Sequence, residues 1–136
     1  MKYIQLSGAC ELPDISCFGK FKSIVVVEEK VSDVRQNEIS KWLVDSGCMY
    51  MMAWGIDSSS WDDSVDWANI EQFDYAPIPE ESSVITTWHE DESLSEVFWF
   101  SKFCASHEHH ELNLIVLHIS STNKECEFKS IYNATG

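Results

Sequence analysis

Two groups of residues have the types and spacing for chemistry. The first lies where apolar runs end: Glu28 and Glu29, then Trp54, Gly55 and Asp57, then Thr86, Thr87, Trp88, His89, Glu90 and Asp91, and finally His118 and Ser120. An imidazole beside carboxylates is the equipment of general acid–base chemistry. In that arrangement His89 is the base, Asp57 or Glu90 the orienting carboxylate or a metal ligand, and His118 a second imidazole. Trp54 and Trp88 form a wall for a small ligand. The second group is Cys104, His107, His109 and His110, a C-x-x-H-x-H-H run of soft donors that zinc accepts. It holds a single cysteine and lacks the paired spacing of a structural zinc site, so the sequence assigns it no resident metal. No motif requires a cofactor.

Each of these residues also has a plainer role. Asp57, Glu90 and Asp91 precede helical patterns, where a helix N-terminus favours a carboxylate. His118 sits in an apolar run and reads as a core histidine with its hydrogen bonds satisfied. Trp42, Trp61, Trp67 and Trp99 fall at helical spacing and read as core. Trp54 and Trp88, at strand ends, are better placed as an exposed aromatic platform. The chain has no Gly-rich phosphate loop, and Gly8, Gly19, Gly47 and Gly55 are isolated. It has no G-x-S-x-G elbow and no visible oxyanion donor.

The elements that must position these groups alternate in kind. Residues 22–28 contain a β-branched run that reads as a strand buried on both faces. Asp33 with Gln36 reads as a capping box for a helix carrying Val34, Ile39, Trp42 and Leu43 and closed by Gly47. Residues 48–54 form a second buried strand. Ser58, Ser59 and Ser60 precede a second helix with Asp62 and Asp63 in its first turn; Trp61, Val65 and Ala68 share one face. That helix ends before Pro77 and Pro79. Residues 83–88 are a third strand. Ser93 and Glu96 make a capping box for a third helix with Leu94, Val97, Phe98, Phe103 and Cys104 on its apolar side. Residues 113–119 are a fourth strand. Residues 2–6 read as an edge strand, and residues 126–132 as a strand or a short helix. The order β-α-β-α-β-α-β predicts one α/β domain over residues 1–136, with a mainly parallel sheet flanked by helices and extra edge strands from the termini. Ligands of such sheets bind beyond the carboxyl ends of the strands, which is where the first group of residues falls.

Charge narrows the partner. Between Lys41 and Lys102 there is no lysine or arginine, while thirteen Asp and Glu occur there with tryptophans at 54, 61, 67, 88 and 99. A folded surface normally mixes the two signs. Nucleic-acid backbones and anionic membranes need Lys and Arg, so both are excluded as partners, and phosphoryl chemistry is disfavoured with them. A basic protein, a cationic ligand or a metal ion is attracted. The net charge of -14 is carried by a chain that is 44% hydrophobic, enough for one core. The N-terminus lacks a signal-peptide core, and the five cysteines show no disulfide spacing, which together predict a cytoplasmic protein. Cys48 and Cys104, in apolar patterns, read as small core residues.

The block CMYMMAWGIDSSSWDDSVDWANIEQF, followed by VITTWHEDESLSEVFWFSKFCASH and LIVLHIS, resembles a family of small bacterial proteins of unknown function. Its strings A-W-G, W-D-D-S-V-D-W-A-N, T-T-W-H-E, E-V-F-W-F and L-H-I-S cover residues from about Cys48 to Ser120. The resemblance implies no activity. It singles out Trp54, Gly55, Trp61, Asp62, Asp63, Asp66, Trp67, Thr86, Thr87, Trp88, His89, Glu90 and His118 as matching positions.

The functional expectation is an acidic binding protein that neutralises a basic partner, most concretely an immunity protein against a cationic bacterial toxin of the nuclease type. Trp54, Trp61 and Trp88 supply the anchors, and Asp57, Asp62, Asp63, Asp66, Glu90, Asp91 and Glu92 the field. The alternative is an enzyme or small-ligand receptor using Asp57, His89, Glu90 and His118 at the strand ends.

Overall fold

The computed structural model describes residues 1–7 and 10–135. Gly8, one of the isolated glycines, lies outside them. Five strands, β1 (Lys2–Leu6), β2 (Phe21–Val27), β3 (Cys48–Gly55), β4 (Ile85–His89) and β5 (Asn113–Ile119), form one sheet in the order β1-β5-β2-β3-β4. Every pairing is parallel. The helices are α1 (Asp33–Ser46), α2 (Ser58–Gln72), α3 (Leu94–Phe103) and α4 (Glu125–Ala134). The α/β class and the parallel sheet are as the sequence predicts, and residues 2–6 form the edge strand. No helix among the described residues is long and apolar enough to cross a membrane.

The central strands β5, β2 and β3 are buried on both faces, which their unbroken apolar runs require. Alternate residues divide into two cores. Val25, Val27, Met51, Ala53, Ile115 and Leu117 face α1 and α2, meeting Ile39, Leu43, Trp61 and Val65. Ile24, Val26, Tyr50, Met52 and Val116 face α3 and α4, meeting Val97, Phe98 and Phe128. Each fully buried aliphatic side chain contributes about 1.5–3 kcal/mol. Residues 126–132 resolve as helix α4, because Phe128, Ile131 and Tyr132 make a stripe at helical spacing that packs on the second core.

Local chemistry shifts several boundaries. Ser32, one residue before the expected Asp33, caps α1 by accepting the Arg35 N–H. Gly47 ends α1 in the left-handed conformation, as expected. Helix α2 starts at Ser58 behind Asp57, which is itself left-handed (φ 54°) and makes no side-chain cap. Asp62 and Asp63 therefore lie beyond the first turn, and Asp62 is buried. Strand β4 starts at Ile85 because the Asn69 side chain takes the Val84 N–H and donates to the Ser82 carbonyl, holding that stretch out of the ladder. The capping box of Ser93 and Glu96 is present in full.

Several expected core residues face outward. Trp67, Trp99, Val34 and Phe103 are more than half exposed. In α2 the stripe Trp61, Val65, Ala68 takes the sheet-facing side, and Trp67 points away from it. In α3 the inward residues are Val97, Phe98 and Ser101, while Trp99 and Phe103 pair outside with ring centroids 5.6 Å apart. Cys104 is exposed at the end of α3, whereas Cys48 is buried as expected. Burial pushes the Cys48 thiol up to about 12, which makes it inert. All five cysteines are free.

Candidate functional site

The chain steps from β2 to β3 to β4 through α1 and α2 on one face, then returns through α3 to place β5 on the other side of β2. The carboxyl ends of β2 and β5 thus form the switch point where such sheets bind ligands. Glu28, Glu29, His118, Ser120 and Ser121 gather there, with Tyr3 from β1 and Lys124 ahead of α4. The Tyr3 hydroxyl meets His118 Nδ1 at 2.6 Å, and His118 Nε2 meets Glu28 Oε1 at 2.5 Å. Lys124 donates its Nζ to Glu28 Oε2 at 3.0 Å and its backbone N–H to the Tyr3 hydroxyl at 3.0 Å. Ser121 closes the edge through two hydrogen bonds to Glu29, each 2.7 Å. Partial desolvation works to raise the Glu28 carboxyl, but the hydrogen bonds from Lys124 and His118 outweigh it, and the group sits below its ordinary value. Desolvation moves the Tyr3 hydroxyl the other way, upward, so it is no readier to ionise than a free tyrosine.

His118 is fully buried, packed on the Phe128 ring at 4.7 Å, and both its nitrogens are engaged. It has no lone pair for a substrate and serves as the satisfied core histidine. The network ties β1, β5, β2 and the start of α4 together. Tyr3 and Lys124 are absent from the candidates chosen by sequence: they lie more than a hundred residues apart and carry no shared motif.

The second cluster closes the end of β4. His89 Nε2 lies 2.9 Å from Thr87 Oγ1 and Nδ1 lies 3.0 Å from Glu92 Oε2. The ring is buried and packs edge-on to Phe100 at 4.9 Å. The Trp54 indole donates to the Glu92 carbonyl at 2.8 Å. This is a hydroxyl–imidazole–carboxylate chain, the order in which a base activates a nucleophile. The orienting carboxylate is Glu92; Asp57 and Glu90, which sequence spacing favoured for that role, are exposed and are not among the partners of His89. His89 and His118 do not share a site: they belong to β4 and β5, with β2 and β3 between, about 14 Å of sheet apart.

The C-x-x-H-x-H-H run does not converge on one ion. His107 Nε2 donates to the Ser83 carbonyl at 2.9 Å and His110 Nε2 to the Glu81 carbonyl at 2.7 Å, so these two rings pin the turn at residues 80–82. Cys104 stands apart at the end of α3. His109 instead faces Glu80 and Glu108, whose ligand atoms and its own lie within 4.8 Å of one another, all exposed. Among the described residues, that trio is the group of ligand-type side chains that comes this close together.

The remaining candidates fall along α2 and β4. Trp61 is 1% exposed and Asp62 6%, so neither can reach a partner. Asp57, Asp63, Asp66, Glu90, Asp91 and Glu92 are exposed, Asp91 with a left-handed backbone (φ 58°). Trp54 is half-buried and Trp88 is 51% exposed. Asp66 accepts the Thr86 hydroxyl at 2.7 Å, joining α2 to β4. Desolvation holds its carboxyl above the ordinary value; the Thr86 bond opposes this, and the negative charges of Asp62 and Asp63 reinforce it. Ile85 is also exposed beside this strip, whereas exposed Trp67 lies with Glu71 and Lys41 in the groove between α1 and α2. Strand β4 has a neighbour on one side only, so its outer edge offers unpaired backbone groups.

Comparison with known proteins adds a family. No curated protein and no solved structure matches the chain. The sequence model of one family matches residues 1–135, so the likeness extends through the N-terminal third and the tail, beyond the block from Cys48 to Ser120. The chain belongs to the family described as a domain of unknown function, DUF7684.

Proposed function

We propose that this protein is an acidic recognition module for a basic protein partner, most concretely a cytoplasmic immunity protein that neutralises a cationic bacterial toxin of the nuclease type. The observation that carries the reading is the α2–β4 edge. An open strand edge there is flanked by Asp63, Asp66 and Glu90 and by exposed Trp88 and Ile85, in a segment without lysine or arginine. An open strand edge supplies main-chain hydrogen bonds, Trp88 and Ile85 supply anchors, and the carboxylates steer a cationic surface. The charges are held at a cost: Asp62 and Asp66 stand four residues apart on α2, a like-charge spacing that destabilises a helix by about 0.2–0.5 kcal/mol. The test is affinity capture with the tagged protein from its host, compared with an Asp63→Asn, Glu90→Gln, Trp88→Ala variant. A stoichiometric basic protein held by the native chain and lost from the variant supports the reading. A partner without basic character, or one held equally by both, sinks it.

A second reading is favoured by the Thr87–His89–Glu92 chain, which has the connectivity of a nucleophile, a base and its orienter. In this reading the protein is a hydrolase, with Trp54 paired across the strands with the base His89. Activated-ester hydrolysis above background that falls to background in both Thr87→Ala and His89→Ala would establish it. Equal rates in all three proteins would leave the chain as a brace between β4 and α3.

A further inference from the structure

The amino-terminal edge of the sheet has the opposite electrostatic character. Four of the nine basic residues, Lys2, Lys20, Lys22 and Lys102, meet there around two cavities of about 420 Å³ and 700 Å³. The two share Phe18, Lys22, Lys102, Leu112 and Asn113 as walls and so make one continuous crevice. It lies at the far end of the strands from the switch point and apart from the α2–β4 edge.

Two of the lysines have a structural duty. Helices α3 and α4 both end here, and their last carbonyls carry the negative end of the macrodipole, about half a charge each. Lys22 Nζ donates to the Ser101 carbonyl, and to the Ala105 carbonyl at 3.2 Å. Lys102 Nζ donates to the Tyr132 and Thr135 carbonyls at 2.8 and 2.6 Å and lies 4.2 Å from the centre of the Tyr132 ring. An ammonium has three N–H groups, so each keeps one beyond its two carbonyls. Lys2, which lies over the Phe18 ring, and Lys20 make no such bonds among the described residues. Glu111 adds one negative charge and Asn113 a neutral amide. Helix α1 also ends here, at Gly47 beside Gly19 and Lys20; setting three helix ends and Glu111 against the four ammoniums leaves roughly one and a half positive charges in surplus. Phe18, Leu112, Leu114 and Tyr132 supply apolar wall between them.

We propose that this crevice binds a small organic dianion, a dicarboxylate with a short apolar body, with Lys2 and Lys20 supplying the surplus charge and Lys22 and Lys102 its inner donors. Desolvation holds the Lys22 ammonium below the usual lysine range, so its charge is under-solvated and an anion would relieve it. The walls favour an apolar dicarboxylate over bare phosphate, and the charge favours it over the corresponding diester. The separation from the α2–β4 edge makes the proposal independent of the proposed function.

The experiment is an amide NMR titration of the full chain with phthalate, inorganic phosphate and dimethyl phthalate. The expected result is saturable shifts with phthalate at residues 18–22 and 112–114, with weaker binding of phosphate and none of the diester. Lys2→Ala with Lys20→Ala should weaken phthalate at least ~10-fold, and Lys2→Arg with Lys20→Arg should retain it. These two side chains are exposed, so folding of the variants is checked by the undisturbed spectrum elsewhere. Absence of saturable shifts, or shifts insensitive to the alanine pair, overturns the site. Phosphate binding as well as phthalate overturns the dicarboxylate assignment, and equal binding of the diester overturns the role of the lysines.

Discussion

Asp66 carries the tension between stability and surface charge in one side chain. Its carboxyl is held above the ordinary range by desolvation, with Asp62 and Asp63 reinforcing the effect against the Thr86 bond. An acid whose folded value is raised stabilises the fold below its unfolded value and loses that contribution as pH rises through the folded value. At neutral pH the native chain therefore bears the full repulsion. Asp66→Asn keeps an acceptor for Thr86 and removes the charge. It should raise unfolding stability at pH 7 by about 0.5 kcal/mol, a modest figure because the group is exposed. Urea unfolding as a function of pH checks this: the gain should shrink as pH falls toward the ordinary aspartate value of about 3.8. A gain that grows on acidification would contradict the assignment. The same substitution should weaken capture of a basic partner. Several residues at this scale were legible in the sequence: His118 as a satisfied core histidine, Trp88 as an exposed strand-end aromatic. Others were not. Asp62 looks like a surface group in a run of acids, and Trp67 and Trp99 look like core; only the rotation of their helices against the sheet buries the first and exposes the others.

At the scale of elements, the end of β3 is held tightest. Gly55 has φ +106°, and a Cβ there would stand 2.2 Å from the Val27 carbonyl oxygen of β2. The next residue, Ile56, donates its N–H to that same oxygen at 2.9 Å. Gly55→Ala must therefore break the close approach of two central strands as well as strain the backbone. It should cost more than about 2 kcal/mol in urea unfolding. Gly19→Ala provides the comparison. It also has positive φ, but a Cβ there meets nothing within 4 Å, so the backbone term alone, about 1 kcal/mol, is expected. Equal losses at the two positions would mean that conformation, not crowding, governs Gly55. The strands and helices themselves were largely readable, because apolar runs and helical spacing encode them locally. Boundaries moved where one side chain intervened: Ser32 at the start of α1, Asn69 ahead of β4, and left-handed Asp57 ahead of α2.

At the scale of the whole molecule, charge is segregated. The α2–β4 edge is acidic and the amino end of the sheet gathers four lysines, so the net charge of -14 conceals two surfaces of different character. Association through the acidic edge should be steeply salt-dependent. Raising ionic strength from 0.01 M to 0.15 M shortens the Debye length from about 30 Å to about 8 Å. The association rate with a basic partner should then fall at least ~10-fold while dissociation changes little, which stopped-flow mixing would measure. A fall carried mainly by faster dissociation would point to buried ion pairs instead of steering.

The sequence alone determined the alternation of strands and helices, the α/β class and the acidic middle segment, since these depend on residue type and short-range spacing. Tertiary structure decided which strand ends are neighbours. Placing β5 beside β2 brought His118 to Glu28, Tyr3 and Lys124 and left His89 about 14 Å away on β4 with Thr87 and Glu92. It also drew the scattered lysines to one edge. Strand order arises from how crossovers pack across the whole sheet, and no local spacing encodes it.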